Sequence, residues 1–164
     1  MEARPVLSEP NDQTKKAGVE TVGSILRYKG HQVWSIGPEA TVYNAIALMA
    51  EKRVGSLMVL SELDIVGIVS ERDYARKVIL QGRSSRDTPV CAIMTCPVIT
   101  VAPERTVAEC LRIMTINRIR YLPVMEGSTL FGLVSIGDLV SSILAMQAFT
   151  IDQLETYIAG SYPK

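Results

Sequence analysis

The sequence has no surplus of either charge: Lys+Arg and Asp+Glu number 17 each in 164 residues, for a formal net charge of zero. A dedicated nucleic-acid binder carries a basic surplus to neutralise phosphates, so composition argues against that class. No apolar run approaches the roughly 20 residues of a membrane-spanning helix, so no membrane partner is expected. The stretch Met1 to Glu20 mixes Pro, Asn, Asp, Gln and Lys without periodicity. It lacks the apolar core of a signal peptide and the Arg- and Ser-rich, acid-poor character of a transit peptide. It reads as a mobile tail on a cytoplasmic protein, with an organellar matrix still open for a eukaryotic source. Histidine is almost missing, His31 being the only one, and the three cysteines are Cys91, Cys96 and Cys110. An odd cysteine count without secretory features points to free thiols in a reducing compartment. Cys91 and Cys96 have no further ligands to complete a zinc site, and Cys110 falls on the apolar face of a helix. No Gly-x-Gly-x-x-Gly follows a strand and no Walker loop is present. His31 has no Ser or Cys partner for a triad, and no close acidic cluster suggests a metal. These absences argue against an enzyme: no catalytic residue, catalytic cofactor or metal is expected. Hydrophobic content of 48% with 21% charged residues suits a globular chain.

The strongest positive feature is an internal repeat. At an offset of 65 positions the match runs without a gap from Ile36 to about Leu80. Pro38-Glu39 matches Pro103-Glu104, Thr41-Val42 matches Thr106-Val107, and Met49, Arg53, Leu57 and Val59 match Met114, Arg118, Leu122 and Val124. Gly67, Val69, Ser70 and Asp73 match Gly132, Val134, Ser135 and Asp138.

Each copy reads as the same series of elements. An extended segment (Val33–Ile36, Val98–Val101) leads to a Pro and then to a Thr placed to cap a helix, and Thr106 with Glu109 forms a capping box. The helices show apolar residues at i, i+3, i+4 and i+7: Val42, Ala45, Ile46 and Met49, then Val107, Cys110, Leu111 and Met114. Two strands follow, Ser56–Leu60 with Ile65–Ser70 and Tyr121–Met125 with Leu130–Ser135, joined by the polar turns Ser61–Asp64 and Glu126–Thr129. A second helix closes each copy, the first ending near Gly82. A lead-in recurs at a slightly different offset, Val22-x-x-Ile25-Leu26 and Val90-x-x-Ile93-Met94. The reading is an α+β chain of two β-α-β-β-α repeats: a tail over 1–20, repeat one over 21–82, a linker over 83–89, repeat two over 90–148, and a C-terminal helix and tail over 149–164. A sheet with helices on one face needs cover for the other, which two copies supply by packing as a pseudo-two-fold unit with clefts where they meet.

Arg118-Ile119-Arg120-Tyr121-Leu122-Pro123-Val124 and Gly132-Leu133-Val134-Ser135-Ile136-Gly137-Asp138 resemble the hallmarks of the CBS domain, named for cystathionine β-synthase. The first copy carries the weaker Arg53-Val54-Gly55-Ser56-Leu57-Met58-Val59 and Gly67-Ile68-Val69-Ser70-Glu71-Arg72-Asp73. The resemblance spans Thr21 to Ala148 and is nearest to small stand-alone CBS-pair proteins of bacteria and plant organelles. It implies a tandem pair called a Bateman module, a disc-like homodimer of such modules, and an adenosyl ligand: AMP, ADP, ATP, NAD(H) or S-adenosylmethionine.

Within that resemblance, Ser135-x-x-Asp138 and Ser70-x-x-Asp73 suit a nucleotide. The Ser ends a strand and opens a helix whose free N–H groups favour a phosphate, and its hydroxyl can donate. The Asp carboxylate can accept from both ribose hydroxyls. Ser at the N-cap with an acid three residues on is equally a plain capping pattern, and one group can do both jobs. The resemblance places Arg120 at the phosphates, where a guanidinium can bind bidentately; the alternative is a solvated surface Arg. The first copy has Gly55 at that position, with Arg72 as a substitute donor or a solvated side chain. The resemblance draws the adenine slot from the other copy: Ser35-Ile36-Gly37 and Ser56-Leu57-Met58 for Asp138, and Thr100-Val101-Ala102 and Tyr121-Leu122-Pro123 for Asp73. Ordinary core is the competing role for the Ile, Leu and Val members. Two sites follow, the Asp138/Arg120 site being the better.

The expected function is a regulatory sensor that binds AMP, ATP or NAD(H) between the repeats and acts on a partner protein that the sequence does not name. Asp73 and Asp138 as an acid–base pair would be the enzymatic alternative, but ribose binding explains both more simply. The remaining alternative is an interaction or dimerisation scaffold with vestigial nucleotide sites, kept open by the changes in copy one. Ile151, Leu154, Tyr157 and Ile158 share one face of the C-terminal helix and would bury against the same chain or support a dimer.

Overall fold

The structure, a computed structural model, describes residues 20–62 and 64–160. Residues 1–19, which make up nearly all of the expected tail, residue 63 in the first turn, and residues 161–164 lie outside it. The described residues form two compact units. One holds Gln32–Ile99; the other joins the residues up to His31 with those from Thr100 onward.

The first unit is built on a three-stranded sheet. β1 (Ser35–Ile36) runs parallel to β2 (Ser56–Ser61), which runs antiparallel to β3 (Asp64–Ser70). α2 (Val42–Lys52) starts where the Thr41 hydroxyl accepts from the Asn44 N–H. Its buried stripe is Val42, Ala45 and Met49, with Ile46 packed alongside, which is the face set by the 3.6-residue period. The polar stretch before Pro89 supplies carbonyls to the free first turn of this helix: Ser85 accepts from Tyr43 and Thr88 from Val42.

The second unit carries a two-stranded antiparallel sheet, β4 (Tyr121–Glu126) with β5 (Thr129–Ser135), and α4 (Val107–Asn117) with Val107, Cys110 and Met114 buried. Thr106 and Glu109 form the expected capping box. Both hairpins shift register at the same place, between Val59 and Leu60 and between Val124 and Met125. The expected strand Val98–Val101 is reduced to a single bridge, Val101 to Val124. The cause is Pro123. Its counterpart Met58 donates to the Trp34 carbonyl and extends β1, but a proline has no N–H to donate.

The two lead-in segments pack where the sequence order does not suggest. α1 (Val22–Lys29), capped by a Thr21/Ser24 box, belongs to the second unit, where Val22, Ile25 and Leu26 join the core of Leu122, Val124 and Val134. Val90 and Ile93 join the core of the first unit. The close approach explains the repeated Gly67 and Gly132. A Cβ at Gly67 would lie 2.5 Å from the Met94 sulfur, and one at Gly132 would lie 2.7 Å from a Leu26 methyl. The second lead-in makes only a 3-10 turn over Val90–Ala92. Pro89 offers no capping side chain, and Pro97 biases the residue before it away from helix.

The closing helices also differ. In the first unit α3 (Glu71–Tyr74) passes into a π-helical turn over Ala75–Ile79, and the chain leaves through Gly82 at φ +63°. In the second, α5 (Ile136–Gly160) is one continuous helix, so the expected C-terminal helix is its prolongation. Leu139 is buried at its start. Ile151, Leu154, Tyr157 and Ile158 are all exposed, so burial of that face against the same chain does not occur among the described residues. Glu20, read with the tail, is held in place: its carbonyl accepts from Val107 and its carboxylate from the Ser142 hydroxyl.

Candidate functional site

Each unit ends a β-hairpin in the same polar turn. In the second unit Ser135 closes β5 and caps α5. Oδ2 of Asp138 accepts from the Ser135 backbone N–H at 2.7 Å and from its hydroxyl at 2.8 Å, while the Asp138 N–H donates to Ser135 Oγ at 3.2 Å. The same oxygen accepts from Lys29 Nζ at 2.6 Å, and that ammonium also donates to the Leu133 carbonyl at 3.1 Å. Burial on its own would raise the Asp138 pKa; the hydrogen bonds from Lys29 and Ser135 outweigh it and hold the carboxyl below its ordinary 3.8. The carboxylate is therefore ionised at neutral pH and ready to accept.

Arg120 stands beside this turn, because its carbonyl accepts from the Ile136 N–H at 2.9 Å. Its Nε is buried and has no hydrogen-bond partner. A buried donor left unmade costs about 1–3 kcal/mol, more when charged, so the position favours an incoming acceptor.

In the first unit Asp73 Oδ2 accepts from the Ser70 N–H at 3.0 Å and its hydroxyl at 2.7 Å, and the Asp73 N–H returns to Ser70 Oγ at 3.3 Å. Here the ammonium is Lys77, four residues along the same helical segment, 2.8 Å from Oδ1. Lys77 also donates to the Ile93 carbonyl at 2.6 Å. Gly55 holds the Arg120 position and accepts from the Glu71 N–H, with no side chain to offer. Arg72 is half-buried and already partnered.

The remaining candidates divide between the units. Ile36 and Gly37 lie half-buried at the end of β1, and Ser56, Leu57 and Met58 are buried in β2. Ser56 stands opposite Ser70 in the sheet, and its hydroxyl is buried without a partner. In the second unit Tyr121 stands opposite Ser135, Leu122 and Pro123 are buried in β4, Val101 is buried and Thr100 is exposed. Leu57 and Leu122 belong to the two cores. Hence each Ser-x-x-Asp turn gathers its own Ser, Asp and strand neighbour.

Two residues escaped the sequence reading. Lys77 was legible, since an acid and a base four apart on a helix lie side by side. Lys29 was not: it meets Asp138 across 109 positions, and only the docking of α1 joins them. His31 has a structural role. Its Nδ1–H donates to the Phe131 carbonyl at 2.9 Å, and its ring stands edge-on to that phenyl at 4.4 Å between centroids.

The CBS-domain model matches the chain twice, over residues 22–79 and 90–145. The chain belongs to the CBS-domain family. It is 38% identical over 152 residues to the mitochondrial CBS domain-containing protein CBSX3 of Arabidopsis thaliana, covering 87% of this chain and 73% of that protein. A CBS-domain protein of known structure from Burkholderia ambifaria is 50% identical with a TM-score of 0.74, covering 76% of this chain and 94% of that one. A hexameric CBS-CP12 protein from bloom-forming cyanobacteria is 33% identical with a TM-score of 0.69, over 76% of this chain and 72% of that one. The recognition read from the repeat holds, as does the α+β class with two CBS repeats. CBS-pair proteins of this stand-alone kind are commonly regulatory and ligand-binding rather than catalytic. No described helix is long and apolar enough to cross a membrane.

Proposed function

We propose that this CBS pair is a regulatory module that binds an adenine nucleotide (AMP, ATP or NAD(H)) and transmits its occupancy to a partner protein. The observation that carries the reading is the Asp138 turn. An ionised carboxylate is fixed at a helix start whose first N–H donates to the Arg120 carbonyl, and the Nε of that arginine is buried and unpartnered. The carboxylate suits a ribose diol; the N–H groups of Ile136 and Asp138 are taken by the Arg120 carbonyl and Ser135 Oγ, which leaves the guanidinium to suit a phosphate. The Ser70/Asp73 turn repeats the Ser-x-x-Asp geometry without the arginine. The adenine slot is assigned to the strand residues around Ile36–Gly37 and Ser56–Met58, and around Thr100–Val101 and Tyr121–Pro123. Binding of ligand and of partner would then be reciprocally coupled.

Arg120 provides the test. If it meets the phosphate, wild-type protein binds AMP more tightly than adenosine, and Arg120→Met removes that preference while keeping adenosine affinity. A charge-assisted contact of this kind is worth about 1.5–3 kcal/mol, roughly 10- to 150-fold in affinity. An AMP-to-adenosine ratio unchanged in Arg120→Met would contradict the assignment.

The exposed face of α5 favours a second, compatible reading as an interaction module. Leu144, Ile151, Leu154 and Ile158 are each more than half exposed on one helix. An isolated helical extension of this length is marginal in water, and we take a homodimer as its cover.

A further inference from the structure

The two Ser-x-x-Asp turns use the same residues, yet their carboxylates are occupied differently. An ionised carboxylate offers roughly four acceptor positions, two on each oxygen. A ribose diol brings two hydroxyl donors and needs two of them. At Asp138 three donors crowd onto Oδ2, one more than its two lone-pair positions hold at ideal geometry: the Ser135 N–H, the Ser135 hydroxyl and Lys29. Oδ1 has no hydrogen-bond partner among the described residues and keeps both of its positions. At Asp73 the Ser70 N–H and hydroxyl fill Oδ2, and Lys77 lies on Oδ1 at 2.8 Å. A single position remains there, too few for a diol.

Lys77 is not a loosely placed surface lysine. Its ammonium is fixed from two sides, by Asp73 Oδ1 and by the Ile93 carbonyl at 2.6 Å, and Ile93 is itself 1% exposed in the core of the unit. To admit a diol the ammonium must leave both acceptors. The second unit cannot copy this arrangement. The position four residues after Asp138 is Ser142, which donates to the Glu20 carboxylate instead. Lys29 reaches Asp138 from α1 and meets the oxygen that already caps the helix.

We propose that Lys77 holds the Asp73 turn closed to nucleotides, so that each chain binds a single nucleotide, at the Asp138 turn. The inference rests on the nucleotide reading above and adds to it the number of sites and the residue that sets it. Substituting Lys77 would free Oδ1 of Asp73 and turn a one-site module into a two-site one.

The test is isothermal titration of the full chain with AMP. Lys77→Met keeps the aliphatic stem and removes the ammonium. Wild type takes up one AMP per chain, and Asp138→Ala abolishes the uptake. Lys77→Met takes up two. Asp138→Ala/Lys77→Met retains one, and Asp73→Ala/Lys77→Met returns to one, which separates an opened carboxylate from a merely loosened fold. Two AMP per wild-type chain, or a single AMP in Lys77→Met, would overturn the role of Lys77. Wild-type binding that survives in Asp138→Ala would overturn the placing of the single site at the Asp138 turn, and no saturable binding of AMP, ATP or NAD(H) by wild type would overturn the nucleotide reading itself. Circular dichroism melts of each variant exclude unfolded protein from the comparison.

Discussion

Cys110 shows how one residue's surroundings set its chemistry. It lies at 0% exposure on the inner face of α4, and burial pushes its thiol up to about 11. Cys91 and Cys96 are exposed. A thiol attacks a disulfide as its thiolate, so burial and a raised pKa both slow Cys110. Native protein should therefore show two thiols that react promptly with a disulfide reagent and a third that reacts only on unfolding. Three prompt thiols would mean that the α4 face opens in the native state. The same locality governs what was readable at the site. Ser70 and Asp73 lie three residues apart in the chain, as do Ser135 and Asp138, so each pairing follows from spacing alone. Arg120 and Lys29 gain their meaning from atoms distant in sequence.

Among the elements, the helices and hairpins were legible because their periodicity and turn residues are local signals. The 3.6-residue stripe of α2 and α4 appears as the buried faces Val42/Ala45/Met49 and Val107/Cys110/Met114. The strand expected over Val98–Val101 failed on one hydrogen bond that Pro123 cannot make, a loss visible only once Ile99 is known to face it. α5 was split in the reading because the repeat ends within it, although nothing in its backbone interrupts it. Its distal half is exposed and carries only two charged residues, Asp152 and Glu155. If that half covers a second copy, sedimentation will find the full chain as a dimer and a chain truncated after Ala148 as a monomer. Identical sedimentation of both would remove α5 from the interface.

At the scale of the whole molecule, the repeat disclosed two similar halves but not which lead-in completes which. Leu26 packs over Gly132 and Met94 over Gly67, so each compact unit takes a lead-in that directly precedes the other copy in sequence. Sequence order gives no signal for this exchange, whereas the paired glycines record it: each lacks a side chain where the lead-in passes. Consequently Lys29, on the first lead-in, neutralises the aspartate of the second repeat. Asp138 thus meets a partner 109 positions away in the chain, and it is the residue on which the nucleotide reading depends.

The most direct test of that reading is a thermal-shift titration of wild type and Asp138→Ala with AMP, ADP, ATP, NAD, NADH and S-adenosylmethionine. A native-state ligand at about a hundred times its dissociation constant stabilises by about 2.7 kcal/mol, or roughly 5–10 °C for a chain of this size. The account predicts a shift of that order with at least one of these ligands in wild type, and its loss in Asp138→Ala. The absence of any shift in nucleotide-free wild type, or an equal shift in the variant, would contradict it.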